Sequence, residues 1–140
     1  MAISETHAGR RYPPTDPYEV SAAKIAEFAR ALGADDPTAT LPAVAPPTFA
    51  AVVSSPAWQQ MFDDPELGLA LNRMVHADQK FTYERVLRPG DVITAQLVID
   101  KVRVRAGTEI ISTSVAVATT AGEPVCTAQS TFYHSREVPT

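Results

Sequence analysis

The groups in this sequence best suited to moving a proton near neutral pH are His7, His76 and His134, the lone Cys126, and the adjacent acids Asp35 and Asp36. An acid–base pair needs two groups whose surroundings push their pKa values apart. Asp35 and Asp36 stand side by side in a stretch, Ala34 to Ala45, made of acids, small residues and prolines. Carboxylates there read first as acceptors for neighbouring backbone N–H groups and second as the remnant of an acid–base pair. The histidines and the cysteine have no metal-ligand spacing, so neither a metal nor a cofactor is expected. Cys126 alternates with Ala128 and Ser130 and reads as a buried, inert thiol. A different chemistry is on offer at Thr48, which follows Pro46-Pro47 and leads into the apolar run Phe49 to Val53. The first turn of a helix carries N–H groups without acceptors and a partial positive charge, which can polarise a carbonyl in the manner of an oxyanion hole. Simple capping of the helix by Thr48 is the equal alternative.

Proline divides the chain that must position these groups. Nine of the 12 prolines fall at or before Pro65. Proline cannot donate to a sheet ladder, so helices and irregular segments are expected first and strands afterwards. Ile25, Phe28, Ala29 and Leu32 make one apolar stripe at helical spacing, with Ser21 as N-cap and Gly33 just past the end. A short strand at Tyr18–Val20 precedes that helix. The run from Thr48 to Ser54 is apolar on every side and so needs surroundings on every side. Ser55-Pro56 then opens a separate amphipathic piece whose Trp58, Met61 and Phe62 read as core or interface residues.

From Met74 the period becomes two. One strand face carries Val75, Ala77, Gln79, Phe81 and Tyr83; the other carries His76, Asp78, Lys80, Thr82 and Glu84. Gln79 is the polar intruder on an apolar face, and a buried amide left unpaired costs about 1–3 kcal/mol. It reads equally as a satisfied core or interface residue and as a contact to a bound ligand. His76 shares its face with charged residues, so it is expected on a solvated or interface surface, with a ligand contact as the alternative. Arg88-Pro89-Gly90-Asp91 reads as a type II turn. A long strand, Val92 to Arg105, changes phase near Asp100, where a bulge is expected. Glu109–Thr119 and Val125–His134 complete an antiparallel meander. The fold class is therefore α+β, a curved antiparallel sheet of four strands or slightly more wrapped around a central apolar helix, as one domain over residues 1–140.

Composition narrows the class of function. The chain has 140 residues, 45% hydrophobic and 20% charged, which fits a globular protein. Its formal net charge of −4 opposes a polyanion partner, so nucleic acid is not expected. The longest apolar stretch, Phe49 to Val53, is too short to cross a bilayer, so no membrane partner is expected. Met1 to Arg11 has no apolar core of a secretory signal, and a single cysteine fits a reducing setting, so a cytoplasmic location is expected.

Two segments carry a resemblance. Met74-Val75-His76-Ala77-Asp78-Gln79-Lys80-Phe81-Thr82-Tyr83, followed by Leu87-Arg88-Pro89-Gly90-Asp91, resembles the "VHGEQ-x-F-x-Y…PLRPGD" signature of MaoC-type dehydratase N-terminal domains. Ala45-Pro46-Pro47-Thr48-Phe49 resembles the "APPTF" entry to the central helix of that family. The resemblance extends over Tyr12 to Phe132. It implies a hot-dog fold, paired units, and acyl thioesters on CoA or acyl carrier protein as substrates, with water added or removed at the (3R)-hydroxyacyl/enoyl step. Small non-catalytic subunits of heterodimeric hydroxyacyl-ACP dehydratases are the members most similar in look.

Catalytic members carry an Asp and a His five residues apart in a "D-x-N-P-(aliphatic)-H" loop. One group takes the C2 proton and the other protonates the departing hydroxyl. Here Thr40 stands five residues after Asp35, Leu41 stands five after Asp36, and no histidine occurs between His7 and His76. The resemblance therefore implies no catalytic residue of this chain's own. It implies a substrate-binding set of Thr48, Phe49, Gln79 and His76, and a catalytic MaoC-like hot-dog subunit or a second copy as partner. The alternatives are a homodimeric hydratase using Asp36 with His76, and an acyl-thioester-binding module without catalysis.

Overall fold

The computed structural model describes residues 1–33 and 44–136; the expectations for Asp35, Asp36, Thr40 and Leu41 lie outside them. The period-two segments form one five-stranded antiparallel sheet in the order β1-β3-β4-β5-β2, with β1 Tyr18–Glu19, β2 Met74–Tyr83, β3 Val92–Arg105, β4 Thr108–Thr119 and β5 Pro124–Ser135. The amphipathic stripe forms α1, Ala22–Ala31, whose start is capped by the Ser21 side chain accepting from the Lys24 N–H at 3.0 Å. Between β2 and β3, Asp91 N–H donates to the Arg88 carbonyl at 3.1 Å and Gly90 sits at φ 91°. Those are the features of the expected type II turn. Asp91 also receives the Arg88 N–H at 2.7 Å and both arms of the Arg85 guanidinium at 2.9 and 3.1 Å, which explains why this turn ends in an acid.

Two bulges, besides a register shift between Val117 and Ala118 in β4, bend the sheet. One falls between Ile99 and Lys101, leaving Asp100 unpaired where the phase change places it. The other falls between His76 and Asp78 and makes Ala77 the extra residue. Strict alternation had assigned Val75 and Ala77 to the face of Gln79; the bulge reverses that assignment. Val75 is 61% exposed on the convex side, whereas Met74 packs against the core. His76 pairs with Phe132 and Gln79 with Ser130, two residues of β5 that share one face.

The concave face holds a helical run built from a 3-10 turn Pro47–Phe49, α2 Ala50–Ser54, a 3-10 turn Ser55–Ala57 and α3 Trp58–Phe62. Proline at each 3-10 turn removes a helical N–H, which accounts for the alternation of tight and regular turns. The run starts one residue earlier than Thr48. Ser55 is also not a cap between two helices, because its backbone is helical at φ −62° and ψ −30°. Phe49, Ala50, Val53, Ser54, Ala57 and Met61 are buried against the sheet, and Phe28 of α1 meets Phe49 edge-on at 5.5 Å. Thr48 and Pro56 are exposed and Val52 is half-buried, so the run is not enclosed on all sides. An outward stripe remains.

The edges of the sheet differ. The arm over residues 9–15 lies along β3, with Gly9, Tyr12 and Thr15 N–H groups donating to the carbonyls of Ile99, Leu97 and Ala95 at 2.7, 3.0 and 2.8 Å. Asp64 ties this arm to the segment after α3 by accepting from Arg10 and from the Tyr12 hydroxyl, each at 2.7 Å. Gly68 permits the first residues to close over that segment, since a Cβ there would stand 2.0 Å from the Met1 carbonyl oxygen. Among the described residues, no strand pairs with the outer edge of β2.

Phe49→Ala should cost about 3–5 kcal/mol in urea unfolding, because it empties the contact between α1, the run and the sheet. Burial alone would raise the Asp64 pKa, but the hydrogen bonds from Tyr12 and Arg10 prevail and hold it below the usual carboxylate range. A carboxylate lowered in the folded state stabilises above its unfolded pKa of roughly 4 and loses that contribution as pH falls through the folded value. Asp64→Asn should therefore melt lower than the parent at neutral pH, with the difference closing in melts taken at progressively lower pH below about 4.

Candidate functional site

The bulge at Ala77 brings together two residues that simple alternation separates. His76 Nε2 lies 3.1 Å from Gln79 Oε1 and 3.1 Å from the Asp78 carbonyl oxygen. Both neighbours are acceptors, so Nε2 carries the hydrogen and donates. Ser130 Oγ, directly across from Gln79 in β5, donates to the same amide oxygen. With its oxygen doubly engaged, the Gln79 amide has its NH2 group in reserve. Among the described residues, that group contacts the Lys80 carbonyl at 3.4 Å, which leaves donor capacity at the open edge. A hollow of about 230 Å³, lined by His76, Ala77, Asp78 and Gln79, opens there.

The imidazole is also held from behind. Its ring centre lies 5.1 Å from Trp58, nearly perpendicular, and 5.1 Å from Phe132, tilted by 32°. Phe62 and Trp58 pack in turn on Phe132 at 5.8 and 5.2 Å. These contacts fix the ring plane without using its Nδ1. The polar row continues inward from Gln79 and Ser130 to Thr113, which faces Ser130 in register. Among the described residues, Thr113 Oγ1, Ser54 Oγ and Trp58 Nε1 are buried without hydrogen-bond partners. An apolar stripe is thus interrupted by polar atoms beneath the helical run.

Thr48 and Phe49 stand apart from this cluster, beside the other end of β2. Thr48 is exposed, with its N–H in the first turn of the run, where helix geometry supplies no acceptor. Phe49 is closed from solvent and supports the turn from beneath. Tyr83, the last residue of β2, donates its hydroxyl to the Pro47 carbonyl and so pins the start of the run to the sheet. Burial, with a further contribution from neighbouring Cys126, pushes the Tyr83 phenol up to about 12, so it stays protonated as a donor. Burial likewise pushes the Cys126 thiol up to about 11, consistent with an inert thiol. Sequence reasoning missed Ser130, Trp58 and Tyr83 as parts of these sites. The first two reach His76 and Gln79 only through tertiary contacts, and Tyr83 gives no local sign of its contact with Pro47.

A buried ionisable pair lies at the other end of the concave face. His134 Nδ1 donates to Glu109 Oε1 at 3.0 Å, and His134 Nε2 accepts the Ala70 N–H at 3.1 Å. Arg136 reaches both Glu109 and the Ile3 carbonyl, so the pair fastens the first residues and the segment leading into β2. Its geometry is structural, because both imidazole nitrogens are occupied.

A second concavity, of about 520 Å³, lies between residues 14–18 and the outward stripe of the run at Val52, Pro56 and Gln60. Among the described residues, no helix is long and apolar enough to cross a membrane.

Comparison with known proteins relates the chain to dehydratases. The family described as "FAS1-like, dehydratase domain region" matches residues 6–128. A UPF0336 protein of Cutibacterium acnes is 46% identical over 143 residues, covering 97% of this chain and 96% of that protein. The HadBC (3R-hydroxyacyl-ACP dehydratase) complex from Mycobacterium tuberculosis contains a chain that superposes with a TM-score of 0.77 and 26% identity, covering 91% of this chain and 96% of that one. The ChsH1–ChsH2 complex from the same organism shares the fold, at a TM-score of 0.62 and 17% identity over 91% of each chain. The curled sheet around a helix is the hot-dog fold of these neighbours, and the resemblance to MaoC-type dehydratases read from residues 45–49 and 74–91 is borne out.

The hydrogen-bond pattern makes the neutral His76 ring the Nε2–H tautomer. Its 15N shifts should show the protonated nitrogen at Nε2, and Gln79→Leu should reduce that preference. Tyr83→Phe should speed amide exchange at Phe49 and Ala50 by freeing the start of the run.

Proposed function

The chain belongs to the FAS1-like dehydratase region family, and on that premise we propose that it is the acyl-thioester-binding subunit of a (3R)-hydroxyacyl-ACP or -CoA dehydratase, acting in the cytoplasm as a single hot-dog domain with a catalytic hot-dog partner. The observation that carries this reading is the His76–Gln79–Ser130 cluster at the unpaired edge of β2. A second hot-dog subunit aligned along that edge would turn the hollow beside Gln79 into a seam, and the spare amide N–H groups would face whatever crosses it. A carbonyl oxygen of a thioester arm suits those donors. Thr48 offers a second donor, its backbone N–H, to the acyl carbonyl, on a turn held by Tyr83 and by buried Phe49. The HadBC likeness supports a two-chain assembly of this kind.

Dehydration needs a proton acceptor at C2 and a donor at the C3 hydroxyl. This chain has no histidine between His7 and His76 to complete a dyad with Asp35 or Asp36. The partner's Asp and His then perform both transfers, while this chain orients the thioester. A second reading, a homodimeric hydratase, gains from the bulge, because His76 faces the concave side rather than away from it.

Expressed alone, the chain should not hydrate crotonyl-CoA at an enzymatic rate, and co-expression with a partner bearing the D-x-N-P-x-H loop should create activity. Gln79→Ala in that complex should raise KM about tenfold with little change in kcat, the pattern of lost binding common to ground and transition states. Robust turnover by the isolated chain that His76→Ala abolishes would establish the homodimeric enzyme instead. Sizing chromatography should show at least a dimer when the preferred partner is present. A persistent monomer in its presence would count against pairing along β2.

A further inference from the structure

We propose that the convex face of the sheet, along the last part of β3, is a docking surface for an acidic amphipathic helix of a partner protein. This goes beyond the thioester-binding reading, because the surface lies across the sheet from the His76–Gln79–Ser130 cluster.

Past the bulge at Asp100 the alternation of β3 resumes with Val102 buried, so Lys101, Arg103 and Arg105 all point outward, and all three are exposed. Arg11 joins them from the arm, where it bridges Val98 while its neighbour Tyr12 turns inward. Four of the chain's 12 lysines and arginines thus share one flank, in a chain whose formal net charge is −4. Among the described residues, the cationic partners in ion pairs are Arg10, Lys24, Arg85, His134 and Arg136, and none of these four. Asp100, on the same face, accepts from the Ser114 hydroxyl. An apolar row lies beside the cations. Across the ladder from Arg103 stand Ile110, then Tyr133, then Val75, on β4, β5 and β2. Tyr133 is 46% exposed and Val75 61%, which puts them among the large apolar side chains the fold leaves open.

Shape and spacing both favour a helix. A convex surface encloses no small ligand, so contact must come from an extended partner. Alternate residues of a strand stand about 6.7 Å apart, so Lys101 to Arg105 spans about 13 Å. Carboxylates at i, i+4 and i+8 of a helix advance about 6 Å each and span about 12 Å, which sets one opposite each cation. Strands are about 4.8 Å apart and a helix is about 10 Å across, so one laid along β3 reaches over β4 and brings its apolar side onto Ile110 and Tyr133. The charge pattern selects a protein over a uniform polyanion. Asp100 and Asp78 stand on the same face and would repel a nucleic-acid backbone or an anionic bilayer, whereas a protein can set neutral side chains opposite them.

The test titrates the full-length protein, labelled with 15N, with a synthetic helical peptide carrying Glu at i, i+4 and i+8 and Leu on the adjoining stripe. A control peptide has the same composition with its Glu residues scattered round the helix. Amide shifts should move over residues 101–105, 108–112 and 131–135 with the first peptide and leave the Gln79 side-chain amide in place. Affinity should fall at least about tenfold between about 0.05 M and about 0.5 M salt, because the contacts are exposed charges. Arg103→Glu should weaken binding at least about tenfold, and Tyr133→Ser should weaken it while keeping the salt dependence. Arg30→Glu, which changes the net charge equally at an exposed site on α1, should leave affinity unchanged. Absence of shifts, equal binding of the control peptide, equal loss in Arg30→Glu, or shifts confined to other surfaces would overturn the proposal. So would tighter binding of an oligouridylate or of phosphatidylglycerol vesicles to the same residues, which would make the face a general polyanion site.

Discussion

The packing of one face of the run 47–62 into the concave side of the sheet is the contact on which the rest of the molecule depends. Phe49, Ala50, Val53, Ala57 and Met61 fill the space between the run and strands β3 to β5. A flat sheet would bury only a strip of such a run; the two bulges and the twist of long strands curl the surface enough to hold it. The cost of interrupting the helix with prolines is absorbed by this packing, since a helix of this composition would be marginal alone. The same contact fixes rotation about the helical axis. It therefore decides which residues remain outward, and so presents Thr48, Val52, Pro56 and Gln60 as a stripe.

The bulge at Ala77 has the largest consequence for which side chains the concave face presents. Side chains alternate across a sheet, and one extra residue exchanges the faces of everything on one side of it. His76 is thereby turned inward to sit between Trp58 and Phe132, in hydrogen-bonding contact with Gln79. Gln79 does not suffer as an unpaired buried amide, because Ser130 and His76 satisfy its oxygen while its NH2 group faces the edge. The exception on the apolar face is thus a satisfied group with capacity to spare.

The sheet edges divide the labour. The arm 9–15 closes the β3 edge through backbone hydrogen bonds and forms one wall of the larger cleft. Among the described residues, no strand pairs with the outer β2 edge, a condition proteins relieve by covering the edge or pairing it with another chain.

The α+β class, the capped helix after Ser21, the turn at Pro89-Gly90, the meander and the bulge near Asp100 were legible in the sequence, because each is governed by local rules: capping, φ preference, and the period of hydrophobic residues. The motifs around Thr48 and His76 also pointed to the dehydratase family on residue identity and order alone. Local rules failed at Ala77, where nothing in Val75-His76-Ala77-Asp78 marks an inserted residue; the register is set by β5 across the ladder. They failed again at Ser55, which carries every sign of an N-cap yet is helical, because packing of the continuous run against the sheet outweighs one cap. They could not separate Val52 from Val53, neighbours of identical chemistry, of which one stays half-buried on the outward side and the other packs into the core. Residue type and spacing determine which elements form and which groups are available. Which way a side chain faces, and what it meets there, is decided by contacts between residues far apart in the chain, and those exist only once the sheet has closed around the helix.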